Sequence, residues 1–377
     1  MNVLVVSGMW PPDVGGPTTH APEFCEYLLE RGHRVTALTM ADRKPAPRSY
    51  PVHWASRRLP IGARHALAVS VATRLARHAD VVYSTGMIGR SSFSAAVAGT
   101  PLVLKLTSDP AFERSLRWGL CGPDLRAFQP ADGLRIAALR RMRDHAIRHA
   151  AHVVTPSDSL RQLALSWGVP ADKLTLLANP VAAPAELAER EELRRRHRLD
   201  GPSLVFAGRL VPQKSIDVAL EAVCRNDDVS LVVAGEGPER TALERHARSL
   251  GLNGRARFLG AQPRQTVFEL LKAADAAVLS SSWENFPHVV VEALSVGTPV
   301  LATDAGGVTE VVRDGWNGLV VPTANAEALG NAIRRYFDQP ALRRHLRANA
   351  AESVASLAPP AVYAELERIL LEEARRR

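Results

Sequence analysis

The sequence predicts an α/β protein made of two Rossmann-like, doubly wound domains that face each other across a cleft. The first observation is length, because 377 residues exceed one average domain and suffice for two. The second is that short apolar runs alternate with longer amphipathic stretches, which indicates parallel strands covered by helices on both faces. The third is that this alternation begins again near residue 202, after a proline-containing stretch at 176–190.

The elements follow in order along the chain. In the first half, five strand-like runs occur: VLVVSG (3–8), RVTALT (34–39), DVVYSTG (80–86), PLVLKLT (101–107) and AHVVTPS (151–157). Helical patterns cover 17–31 and 134–149. Six further runs fill the second half: PSLVFAGRL (202–210), VSLVVAGEGP (229–238), ARFLG (256–260), DAAVLSSS (275–282), TPVLATDAGG (298–307) and NGLVVP (317–322). We therefore predict an N-terminal domain at 1–182, a C-terminal domain at 183–357, and a terminal helix at 358–377 that could pack back on the first domain.

Composition narrows the class of protein. Apolar residues make up 46% and charged residues 23%, which is typical of a globular protein. The sequence contains no run of eighteen apolar residues, so no membrane-spanning helix is predicted. The start MNVLVVSGMWPP is predicted to be a buried strand rather than a secretion signal. The three cysteines have neither disulfide nor metal spacing, so a cytoplasmic location is expected.

Positive charge is concentrated in the first half. Residues 1–185 carry 22 Lys and Arg against 13 Asp and Glu, whereas residues 186–377 carry 25 against 26. The basic segments 55–78 and 133–150 interleave Arg with apolar residues. They could rest on an anionic membrane surface, or they could be ordinary helices with an apolar stripe in the core. Nucleic acid is not an expected partner, because no aromatic-rich basic patch accompanies the high pI.

Four strand-to-loop passages could contact a ligand, since ligands of such sheets bind beyond the carboxyl ends of the strands. Gly15 and Gly16 follow the first strand and precede a helix, but the G-x-G-x-x-G dinucleotide pattern is absent. AGRLVPQKS (207–215) carries two cations that suit a diphosphate or are simply surface charges. VAGEGPER (233–240) and RFLG (257–260) permit close approach of a flat ligand or are ordinary turns.

The segment WENFPHVVVE (283–292) holds two glutamates eight positions apart. Pro287 suits the start of a helix, so we predict a helix over 288–296 with Glu284 in the loop before it and Glu292 inside it. At helical rise the two lie up to about 12 Å apart, too far to share a proton but matched to the two ends of a nucleotide sugar. Glu292 lies among valines and needs a partner such as a ribose diol. The alternative is a pair of solvated glutamates.

These motifs together resemble the family 4 retaining glycosyltransferases of the GT-B fold. Glu284 and Glu292 match that family's Glu-x7-Glu motif, and Arg209 and Lys214 match its GRL-x-x-x-K loop. Gly235–Pro238 matches its GxGP turn, and GGPTTH (15–20) matches an N-terminal GGxxxH. The resemblance covers nearly the whole chain and is densest from 202 to 322.

The resemblance implies a retaining transfer of a sugar from a nucleotide-diphosphate donor to a hydroxyl acceptor, by front-face displacement. The catalytic residues that match its motifs are Arg209, Lys214 and Glu284, and we add Asp109 to the catalytic set as a residue that could touch the acceptor or the transferred sugar. The donor-binding set is Gly15, Gly16, Gly235, Gly237, Phe258, Asn285, Phe286, Pro287, His288, Val289 and Glu292. His20 and Ser108 are expected to contact the acceptor.

The two cations would neutralise the diphosphate, so neither a metal nor another cofactor is expected, and no D-x-D motif occurs. The ENFP segment favours a UDP-sugar, whereas the acceptor could be a glycan, a lipid-linked unit or a natural product. The sequence departs from the family at KLTSDP (105–110), where Ser108 and Asp109 stand in the place of a common histidine, and at Ser215, where glycine is common. A nucleotide-sugar epimerase and a non-catalytic nucleotide-sugar-binding protein remain alternatives.

Overall fold

The structure, a computed structural model, describes residues 1–11, 13, 16–122, 125–129, 133–184 and 186–376. The chain divides into two compact units. The first consists of Met1–Pro180 together with Pro359–Arg377, and the second of Val181–Ala358. Each unit is an α/β domain with one parallel sheet, as the sequence predicts.

The first unit has a seven-stranded sheet in the order β3-β2-β1-β4-β5-β6-β7. All of its strand pairs are parallel. Its strands are β1 (Asn2–Ser7), β2 (Arg34–Ala41), β3 (Val52–Ser56), β4 (Val81–Ser84), β5 (Leu102–Lys105), β6 (His152–Thr155) and β7 (Leu174–Leu176). The helices between them are α1 (Gly16–Glu30), α2 (Ile61–Ala76), α3 (Ile88–Ala98), α4 (Pro110–Arg117), α5 (Leu125–Phe128), α6 (Leu134–Arg148) and α7 (Asp158–Ser166).

The second unit has a six-stranded parallel sheet in the order β10-β9-β8-β11-β12-β13. Its strands are β8 (Ser203–Ala207), β9 (Ser230–Ala234), β10 (Ala256–Gly260), β11 (Ala276–Leu279), β12 (Val300–Thr303) and β13 (Gly318–Val321). Its helices are α8 (Arg190–His197), α9 (Ile216–Cys224), α10 (Arg240–Ser249), α11 (Arg264–Ala273), α12 (His288–Ser295), α13 (Ala326–Asp338) and α14 (Pro340–Ala350). The order reverses between β8 and β11, so the loops after these two strands leave the sheet side by side, where ligands of open α/β sheets bind.

The last helix, α15 (Pro359–Arg375), packs in the first unit. Its apolar face joins a core cluster that contains Phe24 of α1 and Tyr83 of β4. Glu367 is 6% exposed and accepts hydrogen bonds from Tyr27 and from the His33 ring. Both apolar burial and buried polar contacts therefore hold α15 to the sheet of the first unit.

Two strands of the first sheet are absent from the sequence-based prediction. β3 has the sequence VHWAS and β7 the sequence LTL, and each lies at an edge of the sheet. An edge strand has only one strand neighbour and is more exposed than a central one, so its sequence lacks the continuous apolar run that identified the others.

Candidate functional site

The loop after β8 carries the two predicted diphosphate-binding cations. Arg209 is exposed and forms no ion pair with a described residue, so its guanidinium is available to an anion. Lys214 ends a short 3₁₀ turn, Pro212–Lys214, and its side chain is only 15% exposed. Ser215 then takes a left-handed conformation at φ 43° before α9 begins. The glycine common in the family at this position would adopt that conformation with less strain.

Lys214 is not free in the structure. Its Nζ lies 2.5 Å from Oε1 of Glu284, which also accepts a 2.6 Å hydrogen bond from the Ser281 hydroxyl. The Glu284 side chain is 7% exposed, so this is a largely buried, charge-assisted contact between loops that are 70 positions apart in sequence. The sequence pointed to both residues but not to their pairing, for which no local spacing gives a signal.

The loop that carries Glu284 is fixed by its neighbours. The Gly307 amide donates to the Glu284 carbonyl at 3.0 Å, and the Gln213 side-chain amide donates to the Trp283 carbonyl at 2.9 Å. A Cβ on Gly306 would lie 2.5 Å from the Glu284 carbonyl oxygen, and Gly306 has φ +58°. The Gly-Gly pair that follows β12 therefore permits the close approach that positions the Glu284 loop.

Gly235 and Gly237 are needed for packing between loops. A Cβ on Gly235 would lie 1.8 Å from the Gly208 carbonyl oxygen, and one on Gly237 would lie 2.2 Å from the Leu210 carbonyl oxygen. The Leu210 amide also donates to the Glu236 carbonyl at 2.9 Å. The two glycines thus join the β9 loop to the loop of Arg209, which explains why glycine stands at both positions without invoking a ligand.

The predicted helix over 288–296 is present as α12, which spans His288–Ser295. Pro287 is the N-cap of α12 and forms no side-chain hydrogen bond there, while the His288 amide donates to the Phe286 carbonyl at 3.1 Å. Phe286 is buried and its ring meets the His288 ring edge-on at 5.3 Å. Asn285 and Val289 are half-buried on either side of this start.

Glu292 lies inside α12 with its side chain 18% exposed. Burial raises its pKa to about 6, and the Arg264 guanidinium, whose Nε lies 3.8 Å from the carboxylate, opposes that rise. Because the ordinary value is 4.5, the carboxylate lowers the stability of the fold as the pH rises from 4.5 to about 6. The ionised form of a partly buried carboxylate of this kind is stabilised by a ligand that donates hydrogen bonds to it.

Phe258 lies in β10 and packs half-buried against the core of the second unit. The residues of the first unit that were predicted to contact a ligand lie in different surroundings. Gly15 lies outside the described residues, and Gly16 is the first residue of α1. His20 has its Nε2 2.7 Å from the Tyr83 hydroxyl and its ring stacked on Phe24, so its surroundings are those of the first unit's aromatic core.

Asp109 lies in a buried structural contact. It is the N-cap of α4, where one carboxylate oxygen accepts hydrogen bonds from the Ala111 and Phe112 amides. The other oxygen lies 2.7 Å from a guanidinium nitrogen of Arg143, and the Asp109 side chain is fully buried. Both oxygens are thus engaged in holding α4 and α6, so this geometry leaves the carboxylate no face for a sugar. Ser108, one residue earlier, is half-buried and lines a cavity of the first unit.

Comparison with solved structures shows the class of fold. The structure of Anabaena HepE in complex with UDP and glucose matches with a TM-score of 0.79 and 20% identity, over 99% of this chain and all of that one. Sucrose-phosphate synthase from Thermosynechococcus elongatus matches with a TM-score of 0.80 and 18% identity, over the full length of both chains. The fold is therefore that of the GT-B glycosyltransferases.

Sequence comparison adds the family. The model of a glycosyl transferase 4-like domain matches residues 15–180, and that of glycosyl transferases group 1 matches residues 189–353. The chain belongs to the group 1, family 4-like glycosyltransferases and is a hexosyltransferase.

Two curated relatives illustrate the range of the family. The alpha-D-kanosaminyltransferase of Streptomyces kanamyceticus is 31% identical over 217 residues, which are 55% of this chain and 56% of the relative. The glycogen synthase of Mycobacterium tuberculosis is 27% identical over 378 residues, which are 93% of this chain and 89% of the relative. One name gives the group that is transferred and the other the polymer that is made, so membership of the family does not identify the acceptor.

Proposed function

We propose that this chain transfers a hexosyl group, with retention, from a nucleotide-diphosphate sugar to a hydroxyl acceptor, without a metal ion. The observation that carries the proposal is the Lys214–Glu284 ion pair beside the exposed Arg209. These side chains follow strands β8 and β11, which are neighbours at the point where the strand order reverses. Two cations beyond the carboxyl ends of two central strands suit a diphosphate.

The second unit offers complementary contacts to each part of such a donor. Arg209 and Lys214 would hold the diphosphate, and the positive end of the α12 dipole would favour the same anion. The Glu292 carboxylate would accept hydrogen bonds from the ribose diol. Backbone groups at Asn285–Pro287 would contact the sugar.

The reaction would form a bond from the acceptor oxygen to the anomeric carbon while the bond from that carbon to the diphosphate oxygen breaks. The acceptor's proton would pass to the departing diphosphate on the same face of the sugar. Arg209 and Lys214 would stabilise the negative charge that grows on this leaving group. Glu284 would position the Lys214 ammonium, because Oε1 of its carboxylate already receives both Lys214 and Ser281.

We favour a UDP-sugar as donor and expect no metal requirement. Anabaena HepE is described in complex with UDP-glucose, which supports uridine as a candidate. The two cations would supply charge that a divalent ion supplies in other transferases.

The test is hydrolysis of a panel of UDP-, GDP- and ADP-sugars, with and without EDTA, followed by analysis of the released sugar. UDP-sugar turnover that is unaffected by EDTA, with the anomeric configuration retained, supports the proposal. Turnover of none of the panel would reject a transferase with these donors. Formation of an epimeric nucleotide sugar without release of nucleotide would instead identify an epimerase.

The Glu292 carboxylate gives a pH-dependence for nucleotide binding. The ionised form accepts the ribose hydroxyl donors, so UDP affinity should fall as the pH drops through about 6 and the group becomes protonated. From about pH 8 to about pH 5 we expect roughly a tenfold loss of affinity, because only about a tenth of the carboxyl stays ionised. Titration calorimetry of UDP into Glu292→Gln should show weaker binding with a flattened pH profile. An unchanged profile in that variant would remove Glu292 from the nucleotide site.

We also propose peripheral contact of the first unit with anionic membranes. Large exposed apolar side chains of the described residues occur there, among them Ile61, Phe93, Trp118, Leu134 and Met142. They accompany the excess of basic residues in the first half of the chain. No helix in the described part of the chain is long and apolar enough to span a bilayer. Flotation with anionic vesicles should recover the protein at low salt and lose it at high salt; equal recovery with neutral vesicles would contradict the electrostatic component.

A further inference from the structure

A cavity of about 1280 Å³ lies in the first unit. Its wall includes residues that follow the central strands of the sheet: Gly8 after β1, Thr85 and Gly86 after β4, and Thr107 and Ser108 after β5. The strand order reverses between β1 and β4, so this is the position where an open α/β sheet binds its ligand. A Cβ on Gly86 would lie 2.7 Å from the Gly8 amide nitrogen, so the two loops approach closely at the floor of the cavity.

Lys105, the last residue of β5, forms part of this wall and is 1% exposed. Its Nζ has no hydrogen-bond partner among the described residues. Burial lowers its pKa to about 7. A buried ammonium with no counter-charge is costly, and on its flexible four-carbon stem it can turn towards an anion in the cavity. The sequence signal is a lysine inside the apolar run PLVLKLT.

The rest of the wall has an excess of positive charge. Five arginines and Lys105 line it against two carboxylates; the arginines are Arg57, Arg64, Arg90, Arg114 and Arg117, and the carboxylates are Asp13 and Glu113. Asp13 already pairs with Arg57, at 2.5 Å. Burial and then the charges of Arg114 and Arg64 lower the pKa of Arg90, which indicates cations close together with too few anions.

The start of α3 adds backbone donors to the same wall. Ile88 and Gly89, the first two residues of this eleven-residue helix, line the cavity. Met87 precedes them with φ 54° and supplies no side-chain cap. A left-handed methionine at the mouth of a cavity is conformationally strained, and it leaves the first amides of α3 available to an acceptor.

Apolar side chains complete the wall: Met9, Met40, Ile61, Met87, Ile88, Trp118 and Met142. A ligand that contacts both the basic and the apolar parts of the wall therefore combines a multiply charged anion with an uncharged organic part. A phosphomonoester has this chemistry, because it carries nearly two negative charges at neutral pH and three acceptor oxygens that suit arginine and helix amides.

We infer that this cavity binds a phosphomonoester group, with Lys105, Arg114 and the start of α3 as its ligands, and that the acceptor of the transfer carries that group. The second part rests on the proposed function, whereas binding itself does not. The phosphomonoester could belong to a water-soluble metabolite or to a lipid-like molecule, since both present the same anion.

The experiment is titration calorimetry of the full chain, without nucleotide sugar, using glycerol phosphate and hexyl phosphate as probes. Glycerol and hexanol serve as uncharged controls. Saturable binding of the phosphates and not of the alcohols is expected. Hexyl phosphate binding more tightly indicates a lipid-like source, and equal affinities indicate a soluble one. Failure of both phosphates to bind overturns the inference.

The variant Lys105→Met should weaken phosphate binding by about tenfold or more, because one charge-assisted hydrogen bond is lost. It should also raise the thermal midpoint, since methionine replaces a buried unpartnered charge with an apolar chain of similar length. Lys44→Met, at an exposed lysine of the same unit outside the cavity, is the matched control. Unchanged phosphate affinity in Lys105→Met overturns its assignment.

Arg114→Gln keeps the inference testable if Lys105→Met fails to fold, because Arg114 is exposed and its replacement leaves the core intact. It too should weaken phosphate binding, and normal affinity would count against the site. The two proposals fail separately. If the wild-type protein hydrolyses nucleotide sugars but binds no phosphate, only this inference is overturned. If it binds phosphate but hydrolyses no nucleotide sugar, only the donor assignment is overturned.

Discussion

Lys214→Ala is expected to lower turnover of the nucleotide sugar by about 10²–10³-fold, because the leaving diphosphate loses a positioned cation. The structure adds a second effect. Removal of the ammonium leaves the Glu284 carboxylate buried with only the Ser281 hydroxyl on Oε1, and breaking a buried ion pair costs about 3–5 kcal/mol. Turnover and urea unfolding should therefore be measured on the same preparation.

The double variant Lys214→Met with Glu284→Gln separates the two effects. It removes both charges of the pair, so the free energy of unfolding should return most of the way to the wild-type value. Turnover should stay low, because the diphosphate still lacks its cation. Recovery of turnover together with stability would show that Lys214 acts only as a structural partner of Glu284.

Gly235→Ala is expected to lower the free energy of unfolding of the second unit by about 3 kcal/mol or more. Its Cβ would lie 1.8 Å from the Gly208 carbonyl oxygen, and both clashing partners belong to loops held by backbone hydrogen bonds. The Gly208 amide donates to Ala234, and the Gly235 amide donates to Gly260. Because Arg209 follows Gly208 directly, displacement of this loop should also abolish nucleotide binding.

Gly201→Ala is the matched control for this change. No atom lies within 4 Å of a Cβ built at Gly201, which is exposed in the same unit. Urea unfolding should show little change or a slight gain, since alanine restricts the unfolded chain. A Gly235→Ala protein as stable as the control would mean that the two loops can separate at little cost.

Much of the fold could be predicted from the sequence, because the central strands of each parallel sheet are buried on both faces. Such strands appear as continuous apolar runs, and β1 (VLVV) and β9 (LVVA) are clear examples. The start of α12 was predictable from Pro287, since proline before a helical pattern fixes where the helix can begin. Edge strands β3 and β7 were missed because exposure removes this signal.

The sequence identified residues of the site but not how these residues contact one another. Motif spacing identifies Lys214 and Glu284, yet their contact depends on how β8 and β11 align, which is a property of the assembled sheet. For Asp109, the sequence contains a local signal for the geometry that the structure shows. The dipeptide Asp-Pro before a helix also predicts an N-cap, and the buried Arg143 that completes its environment comes from a helix 34 positions later.

Lys105 could be singled out only with the structure. In the sequence it is one lysine in an apolar strand, and an exposed edge position would explain it equally well. The buried ammonium, the absence of a partner in the described chain and the surrounding arginines become apparent only when the loops after four strands are assembled around one cavity.

The membership of α15 in the first unit has a consequence for how the protein is made. The aromatic cluster around Phe24 and Tyr83 is completed by Tyr363, which is synthesised only after the whole second unit. The whole second unit, which is a separate compact unit, emerges from the ribosome in the meantime. Part of the apolar surface of the first unit's sheet therefore stays uncovered until the second unit has been synthesised. During that interval nascent chains are most exposed to aggregation and to chaperones.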